Sequence, residues 1–131
     1  MKREGILNGA LLAALASLGH GDRIAIADCG LPIPIEVPRI DLAVVRGIPS
    51  FRDVTKAVVA ELLVQKVIVA KEMRANNPDQ YTFIASLFPR TPIEEVSHTE
   101  FKELLRGVKV VIRTGEATPY SNVILESGVD F

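Results

Sequence analysis

The chain has 131 residues, of which 48% are hydrophobic and 24% charged, and its net charge is −1. There is no basic excess and no Lys/Arg run, which argues against a nucleic-acid partner, and the single cysteine, Cys29, excludes an intrachain disulfide. The length suits one domain over residues 1–131, without membrane spans, whose apolar surplus is buried between copies of a homo-oligomer.

The first segment of the chain fits two patterns. Two basic residues precede an apolar stretch that ends in Ala-x-Ala, which is typical of a signal peptide. Against this, Glu4 interrupts the charged region, Asn8 interrupts the apolar one, and the leucines recur at helical spacing. The sequence therefore predicts a helix capped by Asn8 that runs to Leu18, ended by a left-handed Gly19, in a cytoplasmic protein.

The rest of the chain alternates short apolar segments with amphipathic ones. The predicted strands are residues 23–27, 39–45, 66–70, 93–96, 108–112 and 122–125. The predicted helices are residues 51–62 after a Ser50–Asp53 capping box, 77–88 from Asn77-Pro78, and 97–107 after Ser97. The pattern indicates an α/β fold, a three-layer α/β/α sandwich with a mostly parallel central sheet of about six strands.

Motifs for nucleotide, dinucleotide and serine-hydrolase chemistry are absent from the sequence. The two histidines, His20 and His98, lie far apart and lack metal-ligand spacing. These absences favour proton transfer without a cofactor, and we expect no metal.

His20 is the first candidate for proton transfer. It follows a helix C-terminus, where the helix dipole favours a charged imidazole, and Asp22 and Asp28 are near enough in sequence to orient it. The alternatives are a solvated turn histidine and, for Asp28 at the end of a buried strand, a loop cap onto the following backbone. Cys29 is interpreted as a small buried apolar residue in preference to a nucleophile.

Further candidates follow the later strands, at the edge where ligands bind in parallel α/β sheets. His98 lies at a helix N-terminus, which disfavours its charged form, and Lys102 lies one turn further on the same face. Tyr120 and Asn122 point to one side of an extended segment and suit a polyhydroxylated ligand. The alternatives are a solvated helix start for the first pair and edge-strand packing for Tyr120.

Several longer segments match the pattern of a known family from one end of the chain to the other. They include Leu18-Gly19-His20, Ile26-Ala27-Asp28-x-Gly30-Leu31-Pro32, Gly47-Ile48-Pro49-Ser50-Phe51, Arg113-Thr114-Gly115-Glu116-x-Thr118-Pro119-Tyr120-x-Asn122 and Ser127-Gly128-Val129-x-Phe131. With these segments the chain resembles the D-ribose pyranase family, to which fucose mutarotase is the sister family. Cys29, Ala117 and Gly21 depart from the family's usual residues, and Ala117 leaves room for a different sugar.

The resemblance implies a cytoplasmic, cofactor-free isomerase that converts β-D-ribopyranose to β-D-ribofuranose. It implies a ring-like homo-oligomer, a pentamer-based decamer, with sites near subunit contacts. It also implies a sugar site in which His20 is the acid. The candidate site is catalytic His20 with substrate-binding Asp28, His98, Lys102, Tyr120, Ser121 and Asn122, and no metal.

The expected chemistry is the opening and reclosure of a sugar ring. A base takes the proton of the anomeric hydroxyl while an acid protonates the ring oxygen, and a different hydroxyl then closes on the aldehyde. We expect His20, oriented by Asp28, to be the acid, and neutral His98 or a bound water to be the base. The alternatives are a mutarotase for another sugar such as L-fucose, a non-catalytic sugar-binding accessory of ribose uptake, and a structural ring-forming protein.

Overall fold

A six-stranded sheet forms the centre of the computed structural model, which describes residues 1–131. In chain order the strands are β1 Arg23–Ala27, β2 Arg39–Asp41, β3 Val64–Ala70, β4 Ile93–Val96, β5 Val110–Arg113 and β6 Val123–Ser127. Their order across the sheet is β2-β5-β1-β6-β3-β4. β6 is antiparallel to both of its neighbours, and every other pairing is parallel, so the predicted mostly parallel sheet is confirmed.

Helices cover both faces of this sheet. They are α1 Gly9–Ala16, α2 Phe51–Val59, α3 Lys71–Asn76, α4 Pro78–Leu87 and α5 His98–Leu104, with a 3-10 turn over Leu105–Gly107. One apolar core joins the sheet to α1, α2 and α4, and a second joins the opposite face to α5 and the loop after β1. The predicted three-layer sandwich is therefore confirmed. No helix combines the length and the apolar character that crossing a membrane requires.

β1 explains the continuous apolar run in the sequence. Ile24 and Ile26 pack in the first core, whereas Ala25 and Ala27 pack in the second, and all four are fully buried. A strand that is covered on both faces has no solvent side, so apolar and polar residues do not alternate along it. β1 pairs with β5 on one side and β6 on the other, and Asp28 follows the fixed end of this central strand.

The connection from α1 to β1 differs from the prediction. Asn8 caps α1 as expected, but the helix ends at Ala16, two residues before its predicted end. Gly21, with φ +82°, is the left-handed residue, so the assignment of that conformation to Gly19 is wrong. The turn is instead held by Asp22, whose Oδ2 accepts a hydrogen bond from the Gly19 backbone at 2.9 Å.

Differences at β2 and α3 have local physical causes. β2 ends at Asp41 instead of residue 45, because the carboxylate of Asp41 accepts the backbone N–H of Ala43 at 3.0 Å and the chain turns there. The short helix α3 is not predicted, since Ala70, which precedes it, has no side chain that can cap it. In contrast, Ser50 and Ser97 both accept the capping bonds that the sequence predicts.

The buried threonine of α2 gives a test of this core. The hydroxyl of Thr55 is fully buried without a hydrogen-bond partner, so Thr55→Val should stabilise the fold by about 1 kcal/mol. The matched control is Thr114→Val, because the Thr114 hydroxyl donates to the Ala27 carbonyl at 2.8 Å. That change should destabilise by about 1–3 kcal/mol. Urea unfolding measures both, and a destabilised Thr55→Val would contradict the packing described for α2.

Candidate functional site

A pocket of about 290 Å³ opens at the carboxyl edge of the sheet and contains three of the predicted site residues. Asp28 follows β1, His98 begins α5 directly after β4, and Tyr120 lies in the loop between β5 and β6. The rest of the wall is formed by Gly30, Leu31, Pro32 and Pro119. The volume suits a small ligand, and the lining combines polar side chains with apolar residues.

The carboxylate of Asp28 is fixed by hydrogen bonds to both of its oxygens. Oδ1 accepts the backbone N–H of Gly30 and Oδ2 accepts the side-chain amide of Asn122, each at 3.0 Å. The amide oxygen of Asn122 accepts the backbone N–H of Asp28 at 2.8 Å, so one side chain clamps both parts of the aspartate. Asp28 thus caps its own loop and also faces the pocket.

Burial is the largest influence on the charge of Asp28. Burial raises the pKa of this carboxyl above its usual value of 3.8, while the hydrogen bonds from Gly30 and Asn122 and the nearby His98 act in the opposite direction. Asn122, at 1% exposure, lies behind the aspartate. The arrangement gives a positioned carboxylate whose remaining lone pairs face the pocket, where they can accept hydroxyl groups.

The imidazole of His98 packs against two aromatic rings. It stacks on Phe101 with centroids 6.5 Å apart and meets Tyr120 edge to face at 5.0 Å. Burial and then the Lys102 cation lower the pKa of His98 below 6.5, against the effect of the carboxylates of Glu72 and Asp28. This direction agrees with the predicted neutral imidazole, but its first cause is burial instead of the helix N-terminus.

Lys102 and Cys29 lie beside the pocket without lining it. Lys102 is one turn along α5 from His98 and acts on it through charge. Cys29 is a free, half-buried thiol, and its carbonyl oxygen accepts two N–H groups of Arg113, at 3.3 and 3.1 Å. A direct contact between Lys102 and the ligand stays a prediction.

The loop that carries Tyr120 is held in a strained conformation by α4. Tyr120 has φ +56°, the left-handed region that costs a residue with a side chain about 1–3 kcal/mol. The side chain of Asn77 donates to the Pro119 carbonyl at 2.9 Å, and Gln80 donates to the Ser121 hydroxyl at 3.2 Å. Ser121 is fully buried, and its hydroxyl contacts Thr118 at 2.7 Å. The Ser121 side chain therefore points into the protein.

Sequence reasoning misses this support because it assigns Asn77 to another role. Asn77 precedes Pro78, a pattern that predicts a helix cap, yet its side chain makes no capping bond. It instead reaches a loop 42 positions further along the chain. For Gln80, the sequence shows only a polar residue on the inner face of a predicted helix, which does not indicate a contact with a distant loop. In the structure its exposure is 4%.

His20 lies at the opposite edge of the sheet from the pocket. It is exposed before the start of β1, and its Nε2 lies 2.9 Å from Oε1 of Gln65, near the start of β3. The five residues of β1 separate it from Asp28 by about 17 Å or more. Asp28 and His20 of one chain therefore do not contact each other, because the strand that separates them in sequence also separates them in space. That Asp28 orients His20 stays a prediction.

A second, apolar groove of about 600 Å³ lies away from this pocket, between the start of α1, the loop after β2, and α2. Leu7, Val44 and Ile48 line it and are more than half exposed. No group of three or more His, Cys, Asp or Glu side chains is placed to hold a metal ion.

Comparison with known proteins places these features in a family context. Residues 1–130 match the RbsD / FucU transport protein family. The D-ribose pyranase of Geobacillus thermodenitrificans is 56% identical over 131 residues, which are 100% of this chain and 99% of that protein. The D-ribose pyranase of Bacillus velezensis is 53% identical, with both chains fully covered.

Solved structures share the fold. Bacillus subtilis RbsD, solved in complex with D-ribose, has a TM-score of 0.96 and 50% identity, and the match covers 100% of both chains. The fucose mutarotase of Streptococcus pneumoniae, solved with L-fucose, has a TM-score of 0.81 and 20% identity over 95% of each chain. The second likeness concerns the fold alone.

The half-buried imidazole of His98 predicts a pH-dependent stability. Because the pKa of His98 in the folded protein lies below 6.5, the unfolded chain binds a proton more readily than the folded one. The Tm of the protein minus that of His98→Gln should therefore fall as pH is lowered from 7.5 through 6.5 and below. Thermal unfolding followed by circular dichroism measures this difference. A difference that stays constant or grows on acidification would contradict a neutral, half-buried imidazole.

Proposed function

The chain belongs to the RbsD / FucU family, and we propose that it is a D-ribose pyranase, an isomerase that interconverts β-D-ribopyranose and β-D-ribofuranose. The observation that carries this proposal is the pocket in which the fixed carboxylate of Asp28 faces the imidazole of His98. It lies in the fold of a relative that was solved with D-ribose. The proposed enzyme works in the cytoplasm and needs no cofactor.

The reaction requires only proton transfers between oxygen atoms. The proton of the anomeric hydroxyl leaves, the bond between C1 and the ring oxygen breaks, and the ring oxygen gains a proton, which gives the open aldehyde. After rotation, the C4 hydroxyl adds to C1, its proton leaves, and the carbonyl oxygen is protonated. Each step is one that a positioned acid or base accelerates by about 10²- to 10⁴-fold.

The pocket supplies groups for holding the sugar and for one of these transfers. Asp28 accepts hydrogen bonds from hydroxyl groups, and Asn122 keeps its carboxylate in place. Nδ1 of His98 is buried, which leaves Nε2 as the ring nitrogen that meets the sugar. In this proposal the anomeric proton passes to Nε2 of His98 or to a water in the pocket. Tyr120 adds a ring face and a phenol, and Lys102 and Ser121 support the site through His98 and the loop.

His20 completes the site from a second subunit. The strand β1 lies between His20 and Asp28 of one chain, and the exposure of His20 at the opposite edge supports its contact with the pocket of a neighbour. A contact between two different edges is heterologous, and it closes into a ring when the rotation permits. The exposed apolar side chains support burial between copies, and the proposed assembly is a decamer built from two pentameric rings.

A related candidate function is the mutarotation of a different sugar. Ala117 lines a second hollow beside Asp28, together with Arg46 and Glu116, and a small residue there leaves space for a larger ligand. L-Fucose is the alternative that the family context favours. A purely sugar-binding protein would need the hydroxyl contacts of the pocket but not His20.

Saturation-transfer NMR tests the activity. Irradiation of a ribopyranose signal should reduce the ribofuranose signals when the protein is added, because catalysed ring opening links the two forms. Asp28→Asn should lose this transfer, while Asp79→Asn, on the exposed start of α4, should retain it. Parallel runs with L-fucose and D-galactose determine the sugar preference. No acceleration with ribose would contradict the proposal, and ribose binding without acceleration would favour the binding-only function.

Mixed oligomers test the contribution of His20 from a neighbour. His20→Ala and Asp28→Asn should each reduce exchange by about 10²-fold or more when expressed alone. When the two variants are co-expressed, random assembly pairs an intact His20 with an intact Asp28 at roughly a quarter of heterologous contacts, so activity should return to about that fraction. Co-expressed variants that remain as inactive as each one alone would contradict the shared site.

A further inference from the structure

The imidazole of His98 lacks the hydrogen bond that usually orients a functional histidine. In most sites one ring nitrogen donates to a carbonyl or carboxylate, and this contact fixes both the ring orientation and the tautomer. Here Nδ1 is buried without a partner, and the rings of Phe101 and Tyr120 pack against the imidazole. Another contact must fix the position of His98 relative to Asp28.

The polar contact that ties His98 to another element involves its backbone. Oε2 of Glu72 accepts the His98 N–H at 2.6 Å, a short bond to a charged acceptor. This N–H belongs to the first turn of α5, where backbone donors have no partner within the helix. The cap residue Ser97 cannot satisfy it, because its hydroxyl already accepts the N–H of Glu100 at 3.1 Å.

Glu72 is well placed for this contact because two strands hold the ends of the two helices together. It lies in the first turn of α3, directly after β3, and His98 follows β4. β3 and β4 pair in parallel up to Ala70 and Val96, so the two helix starts lie side by side at the pocket edge. The carboxylate thus bridges two helix starts across one strand pair.

We propose that Glu72 is a positioning residue of the sugar site, which fixes His98 through its backbone and so sets its distance to Asp28. The inference rests on the proposed function for its link to ribose. The aromatic contacts fix the plane of the imidazole, and Glu72 fixes the backbone from which it extends. Without this anchor, α5 frays at its first residue and the ring leaves its place opposite Asp28.

The alternative is that Glu72 stabilises the fold and has no effect on the site. Because the chain has two histidines, the ring signals of His98 can be followed directly by NMR, with His20→Gln to assign them. The charged groups that act on the ring are Lys102, Glu72 and Asp28. The ring signals and the affinity for ribose together separate a positioning role from a structural one.

Three variants make the test. Glu72→Ala should weaken ribose binding about tenfold, and it should shift the His98 signals even without sugar. Glu72→Gln keeps an oxygen acceptor, so ribose affinity should stay within about twofold, while His98 titrates at a lower pH because a carboxylate that favours its protonated form is gone. The control Glu95→Ala, which removes a surface pair with Arg74, should change neither readout.

Two kinds of result would overturn the positioning role of Glu72. A folded Glu72→Ala variant with unchanged His98 signals and unchanged ribose affinity overturns it, even if its Tm is lower. If that variant does not fold, Glu72→Asp takes its place, because the shorter side chain draws the acceptor away from the His98 N–H. Unchanged His98 signals and unchanged ribose affinity in Glu72→Asp then overturn the proposal. Should the unmodified protein fail to bind ribose, the proposed function fails, whereas the His98 signals recorded without sugar still decide the role of Glu72.

Discussion

The reciprocal hydrogen bonds between Asp28 and Asn122 are the contact on which the pocket depends. They join the end of β1 to the start of β6, and they satisfy backbone and side chain of the aspartate together. Because a buried carboxylate without donors is costly, Asn122 makes it possible for Asp28 to remain at a half-buried strand end. Two residues before Asn122, Tyr120 packs edge to face against His98, and both line the pocket.

Much of the fold can be predicted because the physical signals are local. The bounds of β1 follow from an apolar run between Arg23 and Asp28, and the starts of α2 and α5 follow from Ser50 and Ser97. Whether β6 runs parallel or antiparallel is harder to predict, because the apolar pattern of a segment is the same in either direction. The connection over residues 114–122 is too short for a helical crossover and stays at the carboxyl edge, so β6 has to run back antiparallel.

The residues of the pocket that follow strands can be predicted, because strand order along the chain is also a local signal. Asp28, His98 and Tyr120 follow strands, and the sheet brings strand ends together, whereas the direction of the Ser121 side chain depends on the contacts of a loop. His20 shows the limit of arguments from sequence distance. Eight positions separate it from Asp28, but an extended strand converts that short interval into nearly the full height of the sheet.

The antiparallel strand β6 also bears on how the molecule is assembled. It lies between β1 and β3 and is the only link between the three-stranded half β2-β5-β1 and the pair β3-β4. Yet β6 follows the other five strands in the sequence, so synthesis delivers both halves before the strand that joins them. Until then β1 and β3 present open edges to the solvent. The sheet therefore keeps two unpaired inner edges, which can pair wrongly, until its last strand is in place.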